Sequence, residues 1–312
     1  MRIRTGLLAL VLTIASAAQA QTYEPPRTPE GRPDFQGVWI TKFVTRIQRP
    51  KNVSTTIVAP QDEASVVAAI KGKPSDITDP DFEFYDVNTL ARVKGTLRAA
   101  QVVEPADGRI PFTELALKGV GRSDEMFEMY DNPEERDTSE RCVTGIVQAP
   151  VRPLPMMMPY QFVQTPDTIV FTAEDPAALR IIHLTGDPPP AAVRSRDGWS
   201  AGKWEGDTLV VVTTHLAAHD PYRVNFGPSL VVSETSRIVE RFTRVSETEL
   251  FYQFTIEDPD LYARPWLAEF SFSRDDAHKV YEYACHEANY ALANALKGGR
   301  VSDRARRKPV KP

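Results

Sequence analysis

The chain has 312 residues, a formal net charge of −5 and two cysteines. An acidic body argues against a nucleic-acid-binding surface, because such surfaces need clustered positive charge to neutralise phosphates. After the N-terminus no stretch approaches eighteen apolar residues, so the sequence predicts no transmembrane segment. Neither a metal nor another cofactor is predicted, and the composition indicates no particular oligomeric state.

The N-terminus has the three parts of a secretory signal peptide. Arg2 and Arg4 give a positive start, residues 7–14 form a short apolar run, and Ala18-Gln-Ala20 matches a small-residue cleavage site. The apolar run is too short to span a bilayer as a helix. We therefore expect residues 1–20 to be removed and the mature protein to be periplasmic or secreted. An uncleaved anchor is the alternative.

Cys142 and Cys285 are the only cysteines, and they are far apart in the sequence. An even number in an oxidising compartment favours one disulfide. A bridge that closes so long a loop is worth about 4–5 kcal/mol in the chain-entropy account. Neither cysteine has a C-x-x-C neighbour, so a structural zinc site or a redox dithiol is not expected.

The first half of the mature chain predicts little regular sheet. Residues 23–34 are rich in proline and charge and should be extended, and residues 37–40 give the first strand. Residues 58–139 predict a helical or irregular insertion, or lid, against a β core. The predicted helices within it are residues 61–71, residues 88–100 and a short helix from a Thr113 cap to Gly119.

From residue 160 onward the pattern changes to short strands separated by tight turns. The clearest is at residues 250–257, where Leu250, Tyr252, Phe254 and Ile256 alternate with mostly polar residues. Such a series predicts a mainly β fold with an antiparallel barrel-like or sandwich core. The other predicted strands are residues 160–164, 168–173, 180–185, 203–204, 208–214, 237–245, 266–272 and 280–284.

The C-terminal region predicts one more helix, at residues 288–296. Gly298 and Gly299 follow it and are typical of a helix end. Residues 299–312 are rich in lysine and arginine and predict a disordered tail. We therefore expect a single β-rich domain over residues 21–298.

Several motifs together resemble an uncharacterised family of exported bacterial proteins. The strongest are Gly202-Lys-Trp-Glu-Gly-Asp-Thr-Leu-Val-Val211, Glu140-Arg-Cys142 and Tyr283-Ala-Cys-His-Glu-Ala-Asn-Tyr290. The resemblance spans most of the mature chain and implies export, but no particular activity. Gly37-Val-Trp39 is also similar to the G-x-W opening of calycin barrels such as lipocalins, which implies a barrel that could hold a ligand.

Two histidines and an aspartate follow a predicted strand. His215, His219 and Asp220 lie just before a proline, so they belong to a loop rather than a helix. Loops beyond strand ends commonly carry binding and catalytic groups. These residues are candidates for acid–base catalysis, substrate contact or, less plausibly, metal binding. A solvated loop without a function is the alternative.

A second candidate group surrounds the second cysteine. His286 and Glu287 follow Cys285 directly, and a bridged cysteine would hold this potential base and its carboxylate partner in place. The alternative is that Glu287 and Asn289 cap the last helix. Tyr290 at the end of the motif is a candidate substrate contact.

Four further candidates lie on predicted strands. Arg180 and His183 are on one short strand, where either could enter a cavity, although a half-buried structural histidine is the common case. Trp204 and Trp266 are candidate substrate contacts, and both could equally supply buried core area.

The sequence supports two hypotheses for function. The first is a periplasmic protein that binds a small, partly apolar organic molecule, and that could act on it as a cofactor-independent lyase, isomerase or hydrolase through histidine and carboxylate groups. The second is a non-catalytic envelope binding or scaffolding module. They differ in whether His286 lies near His183, His215 or His219 around one cavity beside the C-terminal helix, as an acid–base site requires.

The export signal gives a direct prediction. Because the small-residue site ends at Ala20, protein recovered after export should begin at Gln21. An intact-mass measurement checks this. A mature fraction that retains Met1 would contradict it.

Overall fold

A computed structural model describes most of the chain, and it is mainly β. The described residues are 23–71, 87–126, 129–136, 138, 140–143, 145–154, 158–175, 179–217, 221–223 and 226–306. The predicted signal peptide, residues 1–20, lies outside them. The helices are α1 Glu63–Lys71, α2 Glu114–Met126 and α3 Ala291–Arg306. The strands are β1 Gly37–Thr41, β2 Ile57–Val58, β3 Ala91–Val93, β4 Thr96–Arg98, β5 Val102–Glu104, β6 Met158–Gln164, β7 Thr168–Ala173, β8 Leu179–His183, β9 Trp199–Glu205, β10 Thr208–Thr214, β11 Tyr222–Arg223, β12 Leu230–Val231, β13 Arg237–Arg244, β14 Glu249–Glu257 and β15 Leu267–Arg274.

Nine of these strands form a closed barrel. Their order around it is β1-β6-β7-β8-β9-β10-β13-β14-β15, and β15 pairs back onto β1 to close the sheet. Every neighbouring pair is antiparallel except β8 and β9, which run parallel over two residue pairs. The predicted mainly β, barrel-like fold is confirmed, and so are the hairpins β6–β7, β9–β10 and β13–β14.

Alternation along the strands fills the barrel with large side chains. In β14 the inward residues are those that the sequence pattern selected, and Tyr252 is fully buried between Phe242 and Phe270. Aromatic packing of this kind gives the interior most of its buried area. The fully buried aromatic residues of the core are Phe35, Trp39, Tyr160, Phe162, Phe171, Phe242, Tyr252, Phe254, Trp266, Phe270 and Phe272.

One buried ion pair lies inside the barrel. Both terminal nitrogens of Arg180 donate to the Glu240 carboxylate, and both side chains are almost completely buried. Arg180 also donates through Nε to the Ser200 hydroxyl at 2.9 Å and through Nη2 to the Thr213 hydroxyl at 2.9 Å. Tyr252 donates its phenolic proton to Glu240 Oε1 at 2.8 Å. The carboxylate thus has both a counter-charge and neutral donors, as a buried charge requires.

The protonation states of this cluster follow from burial and pairing. Burial is the largest single influence and lowers the pKa of Arg180, but the Glu240 charge, the hydrogen bonds to Glu240 and the charges of Tyr252 and Asp197 together leave the pKa raised. Burial raises the pKa of Tyr252 well above its ordinary value, and the Glu240 charge adds to the rise. The guanidinium therefore stays charged and the phenol stays neutral at physiological pH.

Chain segments cover both ends of the barrel. Residues 145–153 are buried without interruption, and Val151 donates its backbone N–H to the Tyr252 hydroxyl at 2.9 Å. At the opposite end Phe35 donates its backbone N–H to Gln164 Oε1 at 2.6 Å and packs on Trp204. The barrel interior is therefore a packed core closed at both ends.

The insertion has a small core of its own. Val44, Val58, Val67, Ile70 and Leu97 belong to a separate buried cluster beside the barrel. The helix predicted over residues 61–71 is confirmed by α1.

The helix predicted over residues 88–100 is wrong, because this region forms β3 and β4. Lys94 and Gly95 both have positive φ, which a two-residue hairpin turn needs and a helix does not allow. Val93 and Leu97 are buried on either side of that turn. Tertiary packing of these two residues outweighs the helical propensity of the segment.

Two other boundaries differ from the sequence prediction. Thr113 does cap α2, accepting from the Ala116 backbone N–H at 3.2 Å, but the helix continues past Gly119. Gly119 lies close to Val231, since a Cβ added at this position would be 3.2 Å from a Val231 methyl group.

The strand predicted at residues 280–284 is also wrong, since this stretch is irregular and mostly exposed.

The C-terminal helix is confirmed, with different limits. It begins at Ala291 and continues through Gly298 and Gly299 to Arg306, so the predicted stop at the two glycines is wrong. The part of the predicted disordered tail up to residue 306 is helical. Residues 307–312 are outside the described part of the chain.

The buried ion pair predicts an asymmetric mutational response. Arg180→Met leaves Glu240 buried without a counter-charge, which should cost about 3–5 kcal/mol of unfolding free energy at neutral pH. Removing both charges in Arg180→Met/Glu240→Met should recover part of that loss. Denaturant unfolding of the two variants and the wild type measures both effects.

The double variant also gives the outcome that would contradict this account. If Arg180→Met/Glu240→Met is no more stable than Arg180→Met, the loss in the single variant does not come from an unpaired buried charge.

Candidate functional site

His183 lies on the outer face of the barrel. Its ring stacks on Trp199 of the neighbouring strand, with ring centroids 3.6 Å apart and an angle of 6° between the planes. Burial against this ring lowers the pKa of His183. The stack crosses the parallel β8–β9 joint, so His183 has a packing role.

His215 follows β10 in a left-handed backbone conformation, with φ of 60°. Its Nδ1 is 2.8 Å from the hydroxyl of Thr214, and Thr214 pairs with Trp199 across β9 and β10. His183 on β8 and His215 after β10 therefore belong to the two strands that flank β9, which carries Trp199. His219 and Asp220, which complete the predicted group, lie outside the described residues.

His286 and Glu287 occupy an exposed turn before α3. In the described part of the chain no hydrogen bond or ion pair joins His286 to His183 or His215. Convergence of His286 with another histidine therefore stays a prediction. Helix α3 begins only at Ala291, so Glu287 and Asn289 do not cap its first turn as the alternative required.

The strand candidates belong to the barrel core. Arg180 is occupied by its ion pair with Glu240, and Trp266 is 1% exposed between Phe254 and Tyr262. Trp204 is half-buried against Phe35, at the end of the barrel opposite residues 145–153. Their role as substrate contacts stays a prediction, and the structure gives each of them a packing role.

The predicted disulfide is confirmed between Cys142 and Cys285. It joins two of the sequence motifs, Glu140-Arg-Cys142 and the segment from Tyr283 to Tyr290. The Asn289 amide strengthens the same junction by donating to the Glu140 backbone oxygen at 3.4 Å, with the Cys142 sulfur at 3.3 Å. The bridge therefore fixes the start of α3 against residues 129–136 and 140–142, which we call the Tyr130 segment.

A cavity of about 540 Å³, which we call the α3 pocket, lies at this junction. The sequence predicted a cavity beside the C-terminal helix, but one lined by His286 and another histidine. Polar and aromatic groups form one part of the wall, namely Tyr130, Arg136, Glu140, Tyr283 and Asn289. Small and apolar groups form the other part, namely Cys285, Ala288, Ala291, Leu292 and Ala295.

The charged groups of the α3 pocket are paired with one another. Arg136 donates from Nε and Nη2 to the two oxygens of Glu140, both at 2.8 Å. Its guanidinium also lies 4.4 Å from the centre of the Tyr130 ring. The pKa of Arg136 is raised, chiefly by the hydrogen bond to Glu140. The pocket wall is therefore polar but nearly neutral.

The Tyr130 segment is shaped by local hydrogen bonds. Glu135 accepts from the backbone N–H groups of Asp131 and Asn132, at 3.0 and 3.2 Å, which closes a capping box over the turn Pro133–Glu135. These bonds lower the pKa of the Glu135 carboxyl. The sequence Asn132-Pro-Glu-Glu135 is typical of such a turn. It does not indicate that α3 packs beside this segment.

A second cavity, of about 470 Å³, lies on the other side of Tyr130. Asp131, Ser302 and Asp303 contribute its polar wall, and Gly298 and Gly299 contribute helix backbone. At Gly299 the backbone of α3 approaches Tyr130 closely, because a Cβ at this position would overlap the Tyr130 Cβ and lie 2.9 Å from its Cγ. Gly299, which the sequence pattern predicted to end the helix, therefore lies within α3 and in contact with Tyr130.

No protein-family model, curated protein or solved structure matches this chain. Among the described residues, no helix is long and apolar enough to cross a membrane. The same residues contain no group of three or more histidine, cysteine or carboxylate side chains placed to hold a metal ion.

The adjacent glycines of α3 allow a matched test of this contact. Gly298→Ala should stabilise the docked helix by about 0.5–1 kcal/mol, because its Cβ would meet no atom within 4 Å and alanine is the better helix former. Gly299→Ala should destabilise docking by about 1–3 kcal/mol, because the helix must move off Tyr130. Hydrogen-exchange protection of the α3 amides measures both. Equal effects of the two substitutions would contradict the proposed contact.

Proposed function

We propose that this protein binds a small, partly apolar organic molecule in the α3 pocket, after export to the periplasm or the cell exterior. The observation that carries the proposal is the cavity of about 540 Å³ built by the disulfide, α3 and the Tyr130 segment. Its size is within the range of about 300–1,000 Å³ that small-molecule sites occupy.

The location of the pocket supports binding there rather than inside the barrel. The barrel interior holds a continuous aromatic core, and residues 145–153 cover one end of it. The α3 pocket instead lies where two chain segments meet and needs no strand to separate. A ligand could enter it without breaking the Arg180–Glu240 pair.

The wall of the α3 pocket favours binding over acid–base catalysis. It contains the paired Arg136 and Glu140, the phenols of Tyr130 and Tyr283, and the Asn289 amide, and its described residues include no histidine. Catalysis by the histidines would need them to converge elsewhere, in a region that includes His219 and Asp220. Small-molecule binding without catalysis, which the first hypothesis from the sequence allows, therefore fits this pocket well.

The disulfide is in keeping with the proposed compartment. Disulfides persist in the periplasm and outside the cell, and are rare in the reducing cytosol. The pocket depends on this bridge, because Cys285 contributes to the wall and Cys142 ties it to the body of the protein.

A pair of substitutions on α3 tests the proposal. Ala295→Phe fills the pocket, so it should abolish binding of fragment-sized molecules detected by saturation-transfer NMR on a library of neutral fragments. Ala293→Phe is the control, because Ala293 is exposed on the same helix and is not part of the pocket wall.

Both variants should keep the wild-type fold by circular dichroism. If the library gives no bound fragment, or if Ala295→Phe and Ala293→Phe bind the same fragments as the wild type, the α3 pocket is not the binding site. Refinement of a fragment-soaked crystal would show the location directly.

A further inference from the structure

The α3 pocket and the cavity on the other side of Tyr130 lie along one side of α3. Tyr130 belongs to both walls, and its contact with Gly299 separates the two spaces. We infer that together they form one two-lobed groove that binds a neutral oligosaccharide, with at least one sugar ring in each lobe. This inference rests on the proposed function and names the ligand class.

The charges along the groove disfavour binding of an anionic ligand. In the first lobe the one positive side chain, Arg136, has its charge balanced by two bonds to Glu140. In the second lobe the wall contributes two carboxylates, Asp131 and Asp303. Arg300 lies beside this wall and donates to the Asp131 backbone oxygen at 3.0 Å, so it offsets part of the negative charge. Neither lobe therefore presents an excess of positive charge to an anion, and a neutral ligand fits the groove as a whole.

The side chains of the first lobe combine an aromatic face with planar hydrogen-bonding groups. Tyr283 is 53% exposed and Tyr130 is half-buried, so part of a ring is open to a ligand. A sugar ring has C–H groups on its faces and hydroxyls at its edge, so it can pack flat on a phenol while its hydroxyls bond to polar neighbours. Asn289 and Glu140 provide such neighbours at the edge of the pocket.

The second lobe continues the hydrogen-bonding surface. Ser302 and Asp303 are exposed on α3, one turn beyond Gly298 and Gly299, and Asp131 faces them from the Tyr130 segment. Hydroxyl and carboxylate oxygens accept protons from sugar hydroxyls. Each lobe has the volume of a small-molecule site, so a chain that occupies both must pass over Tyr130.

This geometry predicts how affinity depends on chain length and charge. Calorimetric titration of the exported, disulfide-bonded protein should use glucose, maltose, maltotetraose and the corresponding cellulose and chitin oligomers as probes. At least one neutral series should bind, tightening by about tenfold between the monosaccharide and the tetrasaccharide as the second lobe is filled. A tetramer of galacturonic acid should bind more weakly than the neutral tetramers.

Two substitutions test which part of the oligosaccharide each lobe binds. Tyr283→Ala should weaken binding of every sugar that binds by about tenfold, because it removes the aromatic face of the first lobe. Ser302→Trp should block the second lobe, and so reduce tetrasaccharide affinity to that of the disaccharide without changing disaccharide binding. Ala293→Phe, which is outside both lobes, should leave all affinities unchanged.

The outcomes separate this inference from the proposed function. If no neutral oligosaccharide binds, or if the galacturonate tetramer binds best, the oligosaccharide inference is wrong, and fragment binding that Ala295→Phe abolishes would leave the proposed function standing. If affinity is independent of chain length and Ser302→Trp has no effect, the second lobe is not part of the site. If both the fragments and the sugars fail to bind, both proposals are wrong.

Discussion

The ion pair between Arg180 and Glu240 spans a joint of the barrel that has little backbone pairing. Strands β8 and β9 are the parallel neighbours of the barrel, and they pair over two residue positions. From β8, the Arg180 guanidinium bonds to Ser200 on β9, to Thr213 on β10 and to Glu240 on β13. One side chain thus ties four strands together across a joint that has little backbone pairing.

That role makes the barrel interior unsuitable for a ligand. A buried charge is tolerated only while it is paired and hydrogen-bonded, so any guest that displaced Arg180 or Glu240 would impose a large desolvation cost. The same cluster also anchors the covering segment, since Val151 bonds to Tyr252 and Val147 accepts from Arg180 at 3.4 Å. The cluster that ties these four strands together therefore also holds the segment that covers one end of the barrel.

The sequence predicted the elements whose pattern is local. Alternating strands with tight turns, such as β6–β7 and β13–β14, were found within a few residues, and the cysteine count was sufficient to pair Cys142 with Cys285. The sequence also contains a signal for the ion pair, which the predictions above did not include. Glu240 sits at an inward position between Ile238 and Phe242, and a charge in that phase needs a buried partner.

The candidate site was harder to predict because it depends on contacts between distant segments. Nothing near Tyr130 shows that a helix from the C-terminus will pack on it, and Gly298 and Gly299 give the same local signal although only Gly299 touches that ring. The histidines attracted attention because their chemistry is distinctive. The pocket instead uses tyrosine, asparagine and a neutralised arginine, residue types that are common on surfaces and become informative only once they are seen together.

The disulfide has a different task from the ion pair, although both join distant parts of the chain. The helix α3 is not a member of the barrel, so sheet hydrogen bonds do not hold it. Two residues at the bridge have left-handed backbones. These are Cys142 itself, with φ of 56°, and Ala288, which follows Cys285 by three residues and has φ of 53°. Residues other than glycine take that conformation at a cost of roughly 1–3 kcal/mol, and it persists only where the surroundings enforce it. A covalent link supplies that enforcement, and under the proposed function a backbone set in advance would lower the entropy cost of binding a ligand.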